Sequence, residues 1–204
     1  DEFSFTVTAN IPDPPVITGV TVAGTNAVEV AFQPPASSGG VAITEYRVYS
    51  TFDGQTRTGS TSPILFEGLA AGAAHQFTVL AHNAAGLEAL SQISDEVVLA
   101  AADPVSGLVT SYGQALDITA LVRPFATHTL AIVSQPLHGT ATIEGDKLRY
   151  TPAAGYAGVD GFTYNTRVGD STSEPATVDI EVLGPLLLID GPAFLPIATA
   201  GEAY

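Results

Sequence analysis

Short alternating or β-branched runs recur along the whole chain, and Gly, Pro, Asn or Ser separates each from the next. The first half carries VITGVTVAG (16–24), AVEVAF (27–32), EYRVYSTF (45–52), HQFTVLAH (75–82) and DEVVLA (95–100). The second carries QALDITAL (114–121), HTLAIVS (128–134), TATIEGDKLRYTP (140–152), DGFTYNTRV (160–168) and ATVDIEV (176–182). A side-chain period of two with turn residues between the runs predicts strands, and strands at this spacing predict packed antiparallel sheets. One stretch, GLEALSQISDEVV (86–98), places Leu87, Leu90 and Ile93 three apart, as a helix face would. Isolated in an all-β pattern, it is read as a loop leading into a last strand.

With 204 residues, the chain has room for two domains of about 100 residues each. An apolar content of 46% is enough to bury real cores in both. Breaks are expected at NIPDPPV (10–16), whose prolines make a stiff extended lead-in, at the Pro-punctuated LAAADPVSG (99–107), and at LGPLLLIDGP (183–192). The chain therefore divides into 1–11, 12–101, 102–183 and 184–204.

Charge narrows the partners. Lys and Arg total 6 against 21 Asp and Glu, a formal net charge of −15. Such a field repels phosphate backbones and anionic lipid, which argues against nucleic acid and bare membrane, and it attracts cations. Cys is absent, which excludes a disulfide framework, a zinc–thiolate cluster and a thiol nucleophile. Met is absent too, even at the first position, so the chain is expected to be part of a longer polypeptide. The densest apolar stretch, VLGPLLLI (182–189), is broken by Gly184 and Pro185 and is too short to span a bilayer. Neither a signal peptide nor direct membrane insertion is expected of these residues.

Residues 12–101 resemble a fibronectin type III domain, on PDPP (12–15), VEVAFQPPASSGG (28–40), ITEYRVYS (43–50), EGLAAGAAHQFTVLAHNAAG (67–86) and LSQISDEVVL (90–99). The resemblance implies a sandwich with Val28 and Val30 inward, Tyr46 and Val48 in the opposite sheet, Leu69 at the base, and Phe77, Val79 and Ala81 central. It departs from the family pattern at two positions. Phe32 stands where the family has a core Trp, and His75 stands at the tyrosine corner, where its ring nitrogen reaches the backbone from one angle only. His82 is read as surface decoration, and the absence of Arg-Gly-Asp removes support for integrin binding.

The later stretch SQPLHGTATIEGDKLRYTPAAGYAGVDGFTYNTRVGDSTSEPATVDIEV (134–182) resembles bacterial immunoglobulin-like, or cadherin-like, repeats. Within it, Gly139 is expected to permit a tight turn, and EGDK (144–147) to form a hairpin. Tyr150 closes the return strand and Pro152 ends it. Gly155 and Gly158 carry the chain from sheet to sheet, and Tyr156, Phe162 and Tyr164 supply rings. Asp160 is expected to accept backbone N–H bonds from the crossover. The alternative is that Asp160 or Asp170 contributes to calcium binding, although no EF-hand loop or glycine–aspartate repeat supports it. His138 is explained by its turn. The implied fold is all-β: tandem immunoglobulin-like β-sandwiches, fibronectin type III-like and then cadherin-like.

The ends resemble pieces of further immunoglobulin-like repeats. DEFSFTVTAN (1–10) matches a closing strand, and FLPIATAGEAY (194–204) an opening one. They are expected either to belong to neighbouring repeats of a longer array or to be exchanged between identical subunits by strand addition.

Catalytic patterns are missing. ASSGG (36–40) is a turn rather than a nucleophile elbow, and His75, His82, His128 and His138 show no metal spacing. Asp95–Glu96 and Asp179/Glu181 lie in or beside strands without a cleft between them. Tyr49, Phe52 and Tyr112 are the rings least committed to a core, and hence the ones available to a glycan. No catalytic, cofactor or metal residue is assigned, no cofactor is required, and calcium is the ion that the acidic surface would attract. The expected function is a non-catalytic structural or adhesive segment, a stalk of tandem modules in a large extracellular bacterial surface protein or filament. Its expected partners are neighbouring modules, identical subunits, or a glycan or other cell-surface ligand. The alternatives are an accessory or carbohydrate-binding module of a secreted polysaccharide-degrading enzyme, and a phage tail or virion decoration.

Overall fold

The structure, a computed structural model, describes residues 8–123 and 127–185. Every regular element among them is a strand, and the strands form two successive sandwiches, the expected architecture. No helix among the described residues is long and apolar enough to cross a membrane. The expected terminal strands, in residues 1–10 and 194–204, fall almost wholly outside the described residues.

The first sandwich contains β1 (Val16–Gly24), β2 (Ala27–Gln33), β3 (Ile43–Ser50), β4 (Thr56–Gly59), β5 (Ile64–Glu67), β6 (Ala74–His75), β7 (Phe77–Asn83), β8 (Glu88–Leu90) and β9 (Val97–Val98). One sheet runs β1-β2-β5 and the other β4-β3-β7-β8, while β6 and β9 form a short pair. The two-residue period of β2 and β7 sends Val28, Val30, Phe32, Phe77, Val79 and Ala81 into the core. Tyr46, Val48, Ile64 and Phe66 meet them from neighbouring strands, and Leu69 and Leu99 complete the cluster. Phe32, the smaller ring where the resemblance implies a Trp, packs against Tyr46 with ring centroids 4.8 Å apart.

The segment read as a loop leading into a last strand, 86–98, does end in a strand, β9, but the part before it is extended and partly paired, through β8, with β7. Leu90 and Ile93 stay outside, about half exposed. Ser91 and Ser94 turn inward, and their N–H groups donate to Val79 O and Phe77 O, each at 2.8 Å. Each hydroxyl also accepts the N–H of the same β7 residue, at 2.9 Å. Leu90 and Ile93 thus lie on the outer side of an extended segment that is bonded to β7 through β8, Ser91 and Ser94, not on a helix face.

The second sandwich contains β10 (Ala101–Asp103), β11 (Val105–Ser111), β12 (Leu116–Thr119), β13 (Leu121–Arg123), β14 (Thr129–Ser134), β15 (Gly139–Glu144), β16 (Lys147–Pro152), β17 (Gly158–Val168), β18 (Ser171–Thr172) and β19 (Ala176–Leu183). A large sheet runs β11-β19-β17-β14, with β18 on β17; a smaller one runs β12-β16-β15, and β10 pairs with β13. β11 and β19 are parallel, and the other pairs are antiparallel. Ile118, Leu148, Tyr150, Phe162, Tyr164, Val178 and Ile180 fill the space between the sheets. Pro104, expected in a linker, lies inside this sandwich, where the chain leaves β13 and joins β19. The junction itself is only Leu99 and Ala100, between β9 and β10, and both are fully buried.

Candidate functional site at the Asp160 corner

The chain enters β17 through two glycines in the left-handed region, Gly155 (φ 85°) and Gly158 (φ 138°). They permit the crossover from the smaller sheet to the larger one. Asp160 follows on the inward side of β17, in line with buried Phe162 and Tyr164. Its Oδ1 accepts Leu137 N–H at 3.0 Å and Gly161 N–H at 2.9 Å. Its Oδ2 accepts His138 N–H at 3.0 Å and the Tyr150 hydroxyl at 2.9 Å. An ionised carboxylate offers about four acceptor sites, and here each oxygen already holds two donors.

The expected bonds from the crossover therefore come mainly from elsewhere. Two backbone donors lie in the turn before β15, and the hydroxyl comes from β16. Asp160 fastens that turn to the start of β17. Burial pushes the Tyr150 phenol pKa upward, and its bond to Asp160 adds to the shift. Gly139 serves close approach rather than a tight turn: a Cβ there would lie 2.6 Å from the Tyr150 ring and 2.6 Å from Thr151 O. His138 stacks on Tyr156 at 4.1 Å with 10° between the rings, and the Tyr156 hydroxyl donates to Val159 O.

The other sequence candidates do not gather around this corner. His75 is buried in the first sandwich; its Nε2 carries the proton and donates to Ala70 O at 2.8 Å, making the corner bond expected of it. Phe52 meets the same ring edge-on at 5.1 Å. His82 Nδ1 lies 3.0 Å from Glu88 Oε1 on the outer face of the β3-β7-β8 sheet. Asp170 faces Arg167 at 3.4 Å and is almost fully exposed. Among the described residues no three His, Asp or Glu side chains are placed to hold a metal ion.

Asp179 and Glu181 share the exposed face of β19, beside an open depression of about 490 Å³ across β11, β19 and β17. Asp95 and Glu96 border a groove of about 670 Å³ between β1 and residues 92–96. No histidine lines either depression. The Tyr49 hydroxyl accepts from Arg47 at 3.3 Å, whereas Phe52 and Tyr112 are exposed on different sandwiches and make no common stacking platform.

One residue that holds the fold was not legible as such. Asn83 is fully buried, and its Nδ2 donates to Asn10 O at 2.9 Å and Ser38 O at 3.1 Å. Its Oδ1 accepts Ala85 N–H and Leu87 N–H, both at 3.1 Å. The available signal was the Asn-Ala-Ala-Gly turn that it opens.

Residues 13–97 match the family model described as Fibronectin type III domain, and 94–181 match that described as Bacterial Ig domain. The two matches overlap at 94–97, where Ser94 is bonded to β7 of the first sandwich. No curated protein matches the chain. Among solved structures, domains A168-A170 from titin are 30% identical over 45% of this chain, with a TM-score of 0.39, and the chain spans 33% of that structure. The chicken CNTN1 FN1-FN3 domains are 12% identical, covering 86% of this chain and 68% of theirs, with a TM-score of 0.39. The fibronectin(III)-like modules of Clostridium thermocellum CbhA are 15% identical, covering 85% of this chain and 90% of theirs, with a TM-score of 0.31.

Proposed function

We propose, from a chain that carries a fibronectin type III domain followed by a bacterial Ig domain, that it works as a non-catalytic spacer. It is a length of stalk in a large extracellular bacterial surface protein or filament, made of two modules that meet at Leu99 and Ala100. The observation that carries this reading is the passage from β9 to β10, with two buried residues between the sandwiches in place of a flexible tether. Such a passage suits a chain whose task is to hold distance and direction.

Two further features support it. Asp160, the residue most suggestive of chemistry, spends its acceptors on the turn, on Tyr150 and on its own strand. All five arginines among the described residues are engaged locally: Arg47 by Glu45, Arg123 by Asp103, Arg149 by Asp117 and Glu144, Arg167 by Asp170, and Arg57 by Glu67 O. The remaining surface is acidic, and it suits neighbouring modules or a cell-surface ligand better than nucleic acid. Small-angle scattering on the chain tests the spacer role, with an elongated particle expected. A particle as compact as a single globular domain of this mass would remove it.

A further inference from the structure

The end of the first sandwich does not release its chain. Leu99 N–H donates to Ala73 O at 3.0 Å, and Leu99 O accepts Gly72 N–H at 2.8 Å. The next amide, that of Ala100, donates to Ser171 Oγ in the second sandwich at 2.9 Å, in a buried bond. Gly72, in the connection between β5 and β6, has φ +78°, and a Cβ there would lie 2.9 Å from Arg123 Cβ and 3.2 Å from Ala101 Cβ. Only a glycine lets the first sandwich come so close to β10 and β13.

The receiving side is anchored in turn. Arg123 pairs with Asp103 at 2.6 Å, and the Tyr164 hydroxyl, in the second core, donates to Asp103 O at 2.7 Å and accepts Leu121 N–H at 3.1 Å. A third contact starts from the turn between β1 and β2, where Thr25 Oγ1 donates to Glu174 Oε1 at 2.8 Å.

We infer that these facing ends are a built joint, in which Gly72 and Ser171 fix the direction of the second sandwich relative to the first. Tandem domains move relative to one another by default unless their interface prevents it. Here the connecting residues are buried, and three contacts leave the first sandwich from three different segments: Ala100 to Ser171, Gly72 to Arg123, and Thr25 to Glu174. A swing about Leu99–Ala100 must break at least one of them. The joint does not depend on where the chain is displayed.

The absence of cysteine makes the test direct. Thr58→Cys and Thr142→Cys, both on exposed positions of different sandwiches, each take one spin label, and pulsed dipolar spectroscopy reads the distance distribution between them. A single narrow peak is expected, lost or broadened by Gly72→Ala and by Ser171→Ala. Gly86→Ala is the control, because Gly86 has a similar φ of +79° with open space where the Cβ would go. It carries the same backbone strain away from the joint, so the peak stays narrow. A broad distribution in the labelled parent overturns the joint, and so does a narrow one unchanged by both Gly72→Ala and Ser171→Ala. Should Gly72→Ala fail to fold, Ser171→Ala decides. An elongated particle with a broad distribution would remove the joint and leave the stalk; a compact particle with a narrow one would do the reverse.

Discussion

The Tyr150 hydroxyl stands 2.9 Å from Asp160 Oδ2, and this bond ties β16 to the start of β17, just after the sheet crossover. The same oxygen also holds His138 N–H. One carboxylate therefore joins a strand of the smaller sheet, the turn before β15 and the start of β17.

Replacing Asp160 with Ala leaves Leu137 N–H, His138 N–H and the Tyr150 hydroxyl without their acceptor. The expected loss is about 2–4 kcal/mol, read from urea unfolding. Asp160→Asn should be less costly, and its difference from the parent should be the same with calcium and with a chelator. A difference that grows when calcium is added would make Asp160 an ion ligand after all.

Tyr150 also makes stability depend on alkaline pH. Its folded pKa is raised, so the folded state keeps the phenolic proton where the unfolded chain begins to lose it. The stabilisation is full below the unfolded pKa of about 10 and is lost as pH rises beyond it. Unfolding midpoints should therefore fall above about pH 10, and less steeply in Tyr150→Phe. At neutral pH that variant should be weaker by about 1–3 kcal/mol, because it gives up the bond to Asp160. Equal alkaline slopes in parent and variant would disprove the coupling.

Ser94→Ala removes the hydroxyl that accepts Phe77 N–H in a buried position. A loss of about 1–3 kcal/mol is expected. Hydrogen exchange gives a local reading: the Phe77 amide should exchange faster, whereas the Val79 amide, held by Ser91 Oγ, should change less. Unchanged exchange at Phe77 would mean that the serine is not its protector.

His75→Phe keeps a ring beside Phe52 but loses the bond to Ala70 O. It also removes Nδ1, a buried nitrogen without a hydrogen-bond partner. The two effects offset, so thermal unfolding should show a loss of only about 1 kcal/mol. A much larger loss would mean that the imidazole makes a contribution beyond this bond.

Several strands were missed for a shared reason. β4 and β5 have four residues each, and β10 has three, too few for a period of two to stand out. β11 contains Gly107 and meets its partner through a register shift, which breaks its alternation. Asp160 was legible as a structural acid from its place beside the crossover glycines. Its donors were not, because the turn at 137–138 is brought to it by the packing of the two sheets.

By itself, the sequence determined which side chains face inward along β2, β7, β17 and β19, and where the Gly145 hairpin turns at φ +66°. Both follow from neighbours in the chain: a strand alternates its side chains, and a positive φ favours glycine. Only the tertiary structure decided that Gly72 and Ser171 hold one sandwich to the next. The Ala100–Ser171 bond joins residues 71 positions apart, and nothing local sets that glycine or that serine apart from the others until two finished sandwiches meet.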